Sequence, residues 1–76
     1  MHDYIPLETF NFLLGKKVKE LREEKGISQA RLAEIAVLHE NSIKTIELGK
    51  KSPRVYTLYK IAKALDLELE CLISQI

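Results

Sequence analysis

The chain is 76 residues long, with 46% hydrophobic and 30% charged residues, which is typical of a globular protein and excludes a largely disordered one. This length is enough for one small domain and leaves little room for a separate catalytic lobe. The formal net charge is only +1, so the total charge gives no strong argument for a nucleic-acid partner.

Cysteine and histidine are too few for a disulfide or a structural metal site. Cys71 is the single cysteine, which excludes an internal disulfide, and the two histidines are His2 and His39. We therefore expect no metal, no cofactor and a reducing, cytoplasmic location. The N-terminal sequence has neither the basic start of a signal peptide nor an apolar run that could span a bilayer, so we expect no membrane partner.

The first nine residues show no helical periodicity, and Pro6 disfavours a helix that extends back beyond it. We therefore predict an N-terminal arm over residues 1–9 and a folded domain over residues 10–76. Helix 1 is predicted to begin at Phe10, because apolar residues recur from there at helical spacing, namely Phe10, Leu14, Val18 and Leu21. It should end near Gly26, since glycine readily adopts the left-handed conformation that follows a helix.

Two short helices are predicted next, with room for only a tight turn between them. Ser28 can cap helix 2, predicted over about residues 28–36, whose short apolar face consists of Leu32, Ala33 and Ala36. Helix 3 is predicted over about residues 39–48, and its inward-facing residues are expected to be Leu38, Ile43 and Ile46.

The second half of the chain is predicted to contain a loop at Pro53 and then helix 4, marked by Leu58, Ile61, Ala62 and Leu65. The tail has two interpretations. One helical face would be formed by Leu69, Leu72, Ile73 and Ile76, whereas residues 67–73 also alternate in polarity as a strand does. Leucine and glutamate favour a helix, so we predict an all-α chain.

Helices 2 and 3, followed by a basic loop, have the arrangement in which the second helix enters the major groove of DNA. The outward face of helix 3 is left with Glu40, Asn41, Lys44 and Thr45. Asparagine can bind adenine, glutamate can accept from the cytosine amino group, and threonine can contact a thymine methyl. The stretch from Lys44 to Lys63 has six basic residues and one acidic residue, a net charge of +5 that suits phosphate. A solvated surface of a helical bundle explains the same residues equally well.

Several sequence fragments, in their order and spacing, resemble the Cro/CI-type helix-turn-helix family, also called the XRE family. These fragments are Leu14–Arg22, Gly26–Gln29, Leu32–Glu34, Ser42–Ile43, Ile46–Glu47, Gly49–Lys50, Pro53 and Leu58–Leu65. The resemblance covers residues 14 to about 73 and implies a five-helix, lambda repressor-like domain. It also implies a DNA-binding transcriptional regulator, commonly a homodimer, that acts at paired half-sites of a double-stranded operator.

By position, the resemblance implies two groups of DNA contacts. The base-reading residues would be Glu40, Asn41, Lys44 and Thr45, and the phosphate-binding residues would be Gln29, His39, Ser42, Lys50 and Arg54. Gln29 would either reach the DNA backbone or brace a base-reading side chain. Arg22 and Glu47 resemble the internal salt bridge of the family and are expected to be structural.

The chain departs from the family pattern at four positions. Val37 stands where the turn usually has glycine, and because a β-branched residue is poorly suited to a positive φ, we expect a different local backbone. His39 replaces the usual serine or threonine, so the hydroxyl cap of helix 3 is missing, although an imidazole can contact phosphate. Leu48 replaces a frequent asparagine and removes a polar contact. Glu40 brings a negative charge into the groove, which should lower affinity and sharpen specificity.

Dimer formation would need an exposed surface. We expect Leu69 and Leu72 to pack on the core, and Ile73 and Ile76 to be exposed and to form the dimer interface.

An alternative function is the antitoxin of a toxin–antitoxin pair, which would bind a toxin protein through residues 1–9 or 67–76 and also regulate its own operon. Controllers of restriction–modification systems and prophage repressors are similar in length and layout. We do not expect an enzyme, because the sequence offers neither an activated nucleophile nor a glycine-rich phosphate loop.

Overall fold

The computed structural model describes residues 3–76, and within that range all the regular secondary structure is helical, without strands. The five helices are α1 (Leu7–Lys25), α2 (Gln29–Ala36), α3 (Glu40–Glu47), α4 (Val55–Ala64) and α5 (Leu69–Ser74). The all-α prediction is therefore confirmed, and the strand interpretation of the tail is wrong. Over these residues no helix combines the length and the apolar character needed to cross a membrane. Residues 1 and 2 of the predicted arm, including His2, lie outside the described residues.

Helix α1 begins at Leu7, three residues before the predicted start at Phe10. Pro6 is the N-cap, with φ −61° and ψ 155°, and its carbonyl accepts the first helical hydrogen bond from the Phe10 amide at 2.9 Å. Proline suits this place because its fixed φ matches a helix start. Residues 7–9 are all exposed. Because none of these residues is buried, the first turn adds no apolar periodicity to the sequence. The predicted start of helix 1 is therefore three residues too late.

All five helices contribute to one hydrophobic core. Its largest fully buried side chains are Leu14 and Val18 of α1, Leu32 of α2, Ile43 of α3, Ile61 of α4 and Leu72 of α5. Helix α3 packs between α1 and α2, α4 packs against α2, and α5 packs against α4. The predicted bounds of helices 2 and 3 are confirmed to within one residue, with Ser28 capping α2 by accepting a hydrogen bond from the Arg31 amide at 3.0 Å.

A glycine in α1 allows the first helix to approach the end of α3 very closely. A Cβ atom on Gly15 would lie 2.3 Å from the carbonyl oxygen of Ile46 and 2.8 Å from that of Glu47. Real Cβ atoms do not come that close to backbone oxygens, so any side chain here would separate the two helices. Gly15 therefore sets the position of α3 on the core.

The turn between α2 and α3 keeps a left-handed residue even though valine occupies it. Val37 has φ 56° and ψ 54°, so our expectation of a different local backbone is wrong. The Leu38 amide donates to the Ala33 carbonyl at 2.9 Å, and the Lys60 ammonium donates to the Val37 carbonyl at 2.9 Å. These bonds hold the turn against the steric cost of a β-branched side chain, which is about 1–2 kcal/mol for a non-glycine residue.

Of the four apolar residues of the tail, three pack as predicted and Ile76 does not. Leu72 is fully buried and Leu69 packs against the core, as expected, and Ile73 is 37% exposed. Ile76, however, is partly buried against the core rather than exposed. The helix ends at Ser74, so the spacing of one helical face no longer applies to Ile76, which lies instead beside Leu13 of α1.

Candidate nucleic-acid interface

Helix α3 presents a polar face to solvent while its apolar face is buried. Ile43 and Ile46 have 0% and 3% exposure, which fixes the helix on the core. On the other side, Glu40, Asn41 and Lys44 are exposed and Thr45 is partly exposed. The structure thus brings the four predicted base-reading residues together on one accessible surface, which we call the α3 face.

The four side chains of the α3 face differ in whether they already form ion pairs or hydrogen bonds within the chain. The Lys44 ammonium lies 3.7 Å from a Glu40 carboxylate oxygen, so these two charges form an ion pair one helical turn apart. The Thr45 hydroxyl can donate to the carbonyls of Asn41 and Ser42, both at 3.0 Å, so its donor is used within α3. The Asn41 side-chain amide is exposed and makes no hydrogen bond within residues 3–76, so both its donor and its acceptor are free.

A salt bridge below the α3 face ties α3 to α1. The Arg22 guanidinium donates from Nε to Glu47 Oε2 at 2.7 Å and from Nη2 to Glu47 Oε1 at 3.0 Å. The two side chains are 10% and 3% exposed. The hydrogen bond to Glu47 raises the pKa of Arg22 above its ordinary value, while burial acts in the opposite direction. The internal salt bridge expected from the family resemblance is therefore present, and it holds α3 rather than contacting a ligand.

Gln29, at the start of α2, extends this salt bridge. Its side-chain amide donates to Glu47 Oε1 at 3.0 Å, the same oxygen that accepts from Arg22. Gln29 therefore braces a buried structural carboxylate and not one of the base-reading side chains. Its position one residue after the Ser28 cap still places it at the N-terminal end of α2, where backbone amides point outward.

The loop after α3 carries basic side chains beside the α3 face. Lys50, Lys51 and Arg54 are exposed and form no ion pair within the described part of the chain. A cleft between α3 and the start of α4 brings together Arg54 and Ser42, two of the residues expected to bind phosphate. Its full lining is Ser42, Ile46, Lys51, Ser52, Pro53, Arg54 and Thr57. Lys50 does not line this cleft. The cleft adds Lys51, Ser52 and Thr57, which the family positions did not include although Lys51 belongs to the basic stretch.

Three of the six basic residues counted in the sequence are already engaged. Lys44 pairs with Glu40, Lys60 donates to the Val37 carbonyl, and Lys63 donates to a Glu68 carboxylate at 2.8 Å. The bond to Glu68 raises the pKa of Lys63 above its ordinary value. Of these three lysines, Lys44 and Lys63 are paired with carboxylates, whereas Lys60 keeps its charge beside a neutral carbonyl. The unpaired positive charge is therefore smaller than the net charge of the stretch suggested, and most of it lies in the loop after α3.

The start of α3 lacks a side-chain cap, as expected from the replacement at that position. His39 is the N-cap residue, and its side chain makes no capping hydrogen bond. The imidazole is exposed beside a hollow lined also by Leu38 and Ser42, so His39 lies at the edge of the α3 face. No group of three or more side chains that could hold a metal ion occurs within residues 3–76.

This geometry has close counterparts in known proteins. A family model described as Helix-turn-helix matches residues 18–70. This chain belongs to the helix-turn-helix family. Among solved structures of that fold, it is similar to the restriction–modification controller protein C.AhdI from Aeromonas hydrophila, with 32% identity and a TM-score of 0.79. That match covers 82% of this chain and 94% of the controller, and it confirms the Cro/CI-type fold.

Two curated relatives in the helix-turn-helix family are named transcriptional regulators. The regulator PuuR from Escherichia coli K12 is 41% identical over 61 residues, which cover 80% of this chain and 33% of PuuR. The regulator SinR from Bacillus subtilis is 30% identical over 64 residues, which cover 83% of this chain and 58% of SinR. The chain thus spans about a third of PuuR and somewhat more than half of SinR.

Proposed function

We propose that this helix-turn-helix chain is a sequence-specific regulator of transcription that binds double-stranded DNA and acts in the cytoplasm. The observation that carries the proposal is the α3 face, a polar helix surface followed by a loop with the exposed cations Lys50, Lys51 and Arg54, of which Lys51 and Arg54 share a cleft with Ser42 of α3. A helix of this kind fits the major groove, where base edges are exposed, while the cations reach the phosphates on either side. The names of the relatives PuuR and SinR support regulation of transcription.

Within this proposal, the α3 face reads bases. Asn41 pairs with the N6 and N7 groups of adenine, and the Thr45 methyl contacts a thymine methyl. Glu40 accepts a hydrogen bond from a cytosine amino group, which separates it from Lys44 and allows the lysine to turn to guanine or to phosphate. Because the ion pair of Glu40 and Lys44 is half exposed, breaking it costs little.

The phosphate contacts surround this face. Lys50 and Arg54 bind the backbone beside α3, with Ser42 donating from the same cleft as Arg54. His39 and Gln29 contribute from the N-terminal ends of α3 and α2, where backbone amides and the helix dipole attract anions. Gln29 keeps its bond to Glu47 in this role, so its phosphate contact comes through its backbone amide.

A single α3 helix contacts only a few base pairs, so we propose a homodimer on a two-fold site. Ile73, exposed on α5, is the centre of the proposed seam. In such a dimer the two α3 helices would lie about 34 Å apart, one turn of DNA.

The experiment that tests this function is selection of bound sites from random double-stranded DNA. We expect enrichment of one sequence with two inverted half-sites, centred about one helical turn apart. A pool that remains random after repeated rounds at moderate salt would refute sequence-specific binding. A matched selection with the Asn41→Ala variant shows whether the enriched sequence depends on the α3 face.

A further inference from the structure

A surface on the side of α4 that faces α2 is apolar, aromatic and exposed. It forms a groove, here called the tyrosine groove, lined by Ile35, Val37, Tyr56, Tyr59, Lys60 and Lys63. The two tyrosine rings stack with their centroids 6.1 Å apart, and Tyr56 and Val37 are 69% and 77% exposed. None of the proposed DNA contacts lies in this groove, so the α3 face does not account for it.

Positive charge lies directly against the aromatic rings of the groove. The Lys60 ammonium is 5.6 Å from the centroid of Tyr56, and the Lys63 ammonium is 6.0 Å from the centroid of Tyr59. Each ammonium also has one other partner, the Val37 carbonyl for Lys60 and the Glu68 carboxylate for Lys63. An ammonium has three N–H donors, so each of the two lysines can also donate to an acidic group of a partner. The groove therefore suits a segment that is both apolar and acidic.

The N-terminal arm of this chain has that composition. Before α1 it contains Asp3, Tyr4 and Ile5, and the first turn of α1 adds Leu7 and Glu8. The Tyr4 side chain is 92% exposed, so it makes hardly any contact within its own chain, and Ile5 and Leu7 are 44% and 59% exposed. These exposed apolar side chains, with the carboxylates of Asp3 and Glu8 beside them in the sequence, can supply an apolar and acidic segment to another surface.

We infer that the arm of one copy, residues Asp3 to Glu8, docks into the tyrosine groove of a second copy. Tyr4 would stack on the exposed ring of Tyr56, and Asp3 would pair with Lys63. The exchange is reciprocal, since each copy offers one arm and one groove, which is the condition for a two-fold symmetric contact. The negative charges of Asp3 and Glu8 argue against DNA as the partner of the arm, because they would repel phosphate.

This contact deepens the proposed homodimer and rests on it, yet it can be tested without DNA. Association is measured by analytical ultracentrifugation of the wild type, Asp3→Lys, Lys63→Glu and an equimolar mixture of the two variants. Both changed residues are exposed, and circular dichroism checks folding, in particular because Lys63→Glu also removes the bond to Glu68 within the chain. Lys19→Glu, an exposed change on α1 with the same effect on net charge as Lys63→Glu, is the matched control.

Each single variant sets like charges together at both contacts of a dimer, and we expect its dissociation constant to rise about tenfold or more. In the mixture, the basic arm of one variant meets the acidic groove of the other, while the second pair remains as in the wild type. Affinity close to that of the wild type should therefore return. A third variant, Tyr4→Ala, tests the aromatic part and should weaken association about thirtyfold.

Four results would overturn the inference. They are a wild type that stays monomeric at high micromolar concentration, single variants that associate like Lys19→Glu, a mixture without recovery, and a Tyr4→Ala variant that associates like the wild type. If Ile73→Asp abolishes association while the arm variants leave it unchanged, the arm contact is refuted and the proposed dimer seam stands. Loss of DNA binding in the wild type would instead refute the proposed function and leave the arm contact unaffected.

Discussion

At the scale of single residues, the α3 face separates into side chains that are already bonded and one that is not. Thr45 and Lys44 have partners within α3, whereas the Asn41 amide has none within residues 3–76. We therefore expect Asn41→Ala to weaken binding to the selected site by roughly 1–3 kcal/mol and to relax preference at one base pair. Titrations of the selected site and of random DNA at one salt concentration measure this. Equal losses on both DNAs would contradict base reading by Asn41.

The cations beside the α3 face should show the opposite behaviour. Lys50→Ala and Arg54→Ala each remove a charge that has no ion-pair partner within the described residues, so each should weaken binding to all sequences. The slope of log affinity against log salt should fall by about one unit for each phosphate that is no longer bound. Lys19→Ala, on the exposed face of α1, is the control and should keep the slope. A double variant with the wild-type slope would remove both residues from the interface.

Val37 carries a local steric cost that a substitution can remove. Because its φ is 56° and its side chain is 77% exposed, glycine would relieve strain and lose little buried surface. We expect Val37→Gly to raise the free energy of unfolding by up to about 1 kcal/mol, measured by urea denaturation. Val55→Gly makes the same chemical change at an exposed helical residue and should lower stability by about 0.5 kcal/mol. A Val37→Gly variant with a lower free energy of unfolding than the wild type would contradict the presence of backbone strain at Val37.

At the scale of elements, the close approach of α1 to α3 depends on Gly15. Alanine normally stabilises a helix interior relative to glycine by about 1 kcal/mol. Here its Cβ would meet the Ile46 carbonyl oxygen, so we expect Gly15→Ala to lower the free energy of unfolding by roughly 1–3 kcal/mol. The sign of the change in urea denaturation is therefore decisive. Lys19→Ala on the same helix should stay within about 0.5 kcal/mol of the wild type.

Sequence patterns predicted the elements that have caps and a buried face. Helices α2 and α3 follow from the Ser28 cap and from the spacing of Ile43 and Ile46, and the salt bridge of Arg22 with Glu47 follows from the family pattern. The start of α1 was missed because its first turn is exposed on all sides, and Ile76 was misplaced because helical spacing fails beyond the end of α5.

Contacts between distant residues that the family pattern does not include could not be predicted from the sequence. The bond from Lys60 to the Val37 carbonyl supports a turn that valine alone should disfavour, and the two residues are 23 positions apart. The bond from Gln29 to Glu47 likewise forms only when α2 and α3 pack together. The sequence therefore places the α3 face correctly but overstates the unpaired positive charge near it, since the ion pair of Lys63 with Glu68 depends on the fold.

At the scale of the whole molecule, the proposed dimer seam predicts a monomeric variant. Ile73 is partly exposed on α5 and does not belong to the buried core, so Ile73→Asp should leave the fold intact. Placing a charge in an apolar seam should prevent association and weaken binding to a two-fold site while half-site binding persists. Analytical ultracentrifugation with circular dichroism checks both points. A dimeric variant would show that Ile73 lies outside the interface.

The proposed function depends most on α3 lying in the major groove of double-stranded DNA. Chemical interference on the selected site tests this directly, because methylation of guanine N7 blocks the major groove, and methylation of adenine N3 blocks the minor groove. We predict loss of binding when N7 positions are methylated in two half-sites, centred about 10–10.5 base pairs apart. Interference confined to adenine N3, or binding that is indifferent to both modifications, would contradict a major-groove position for α3.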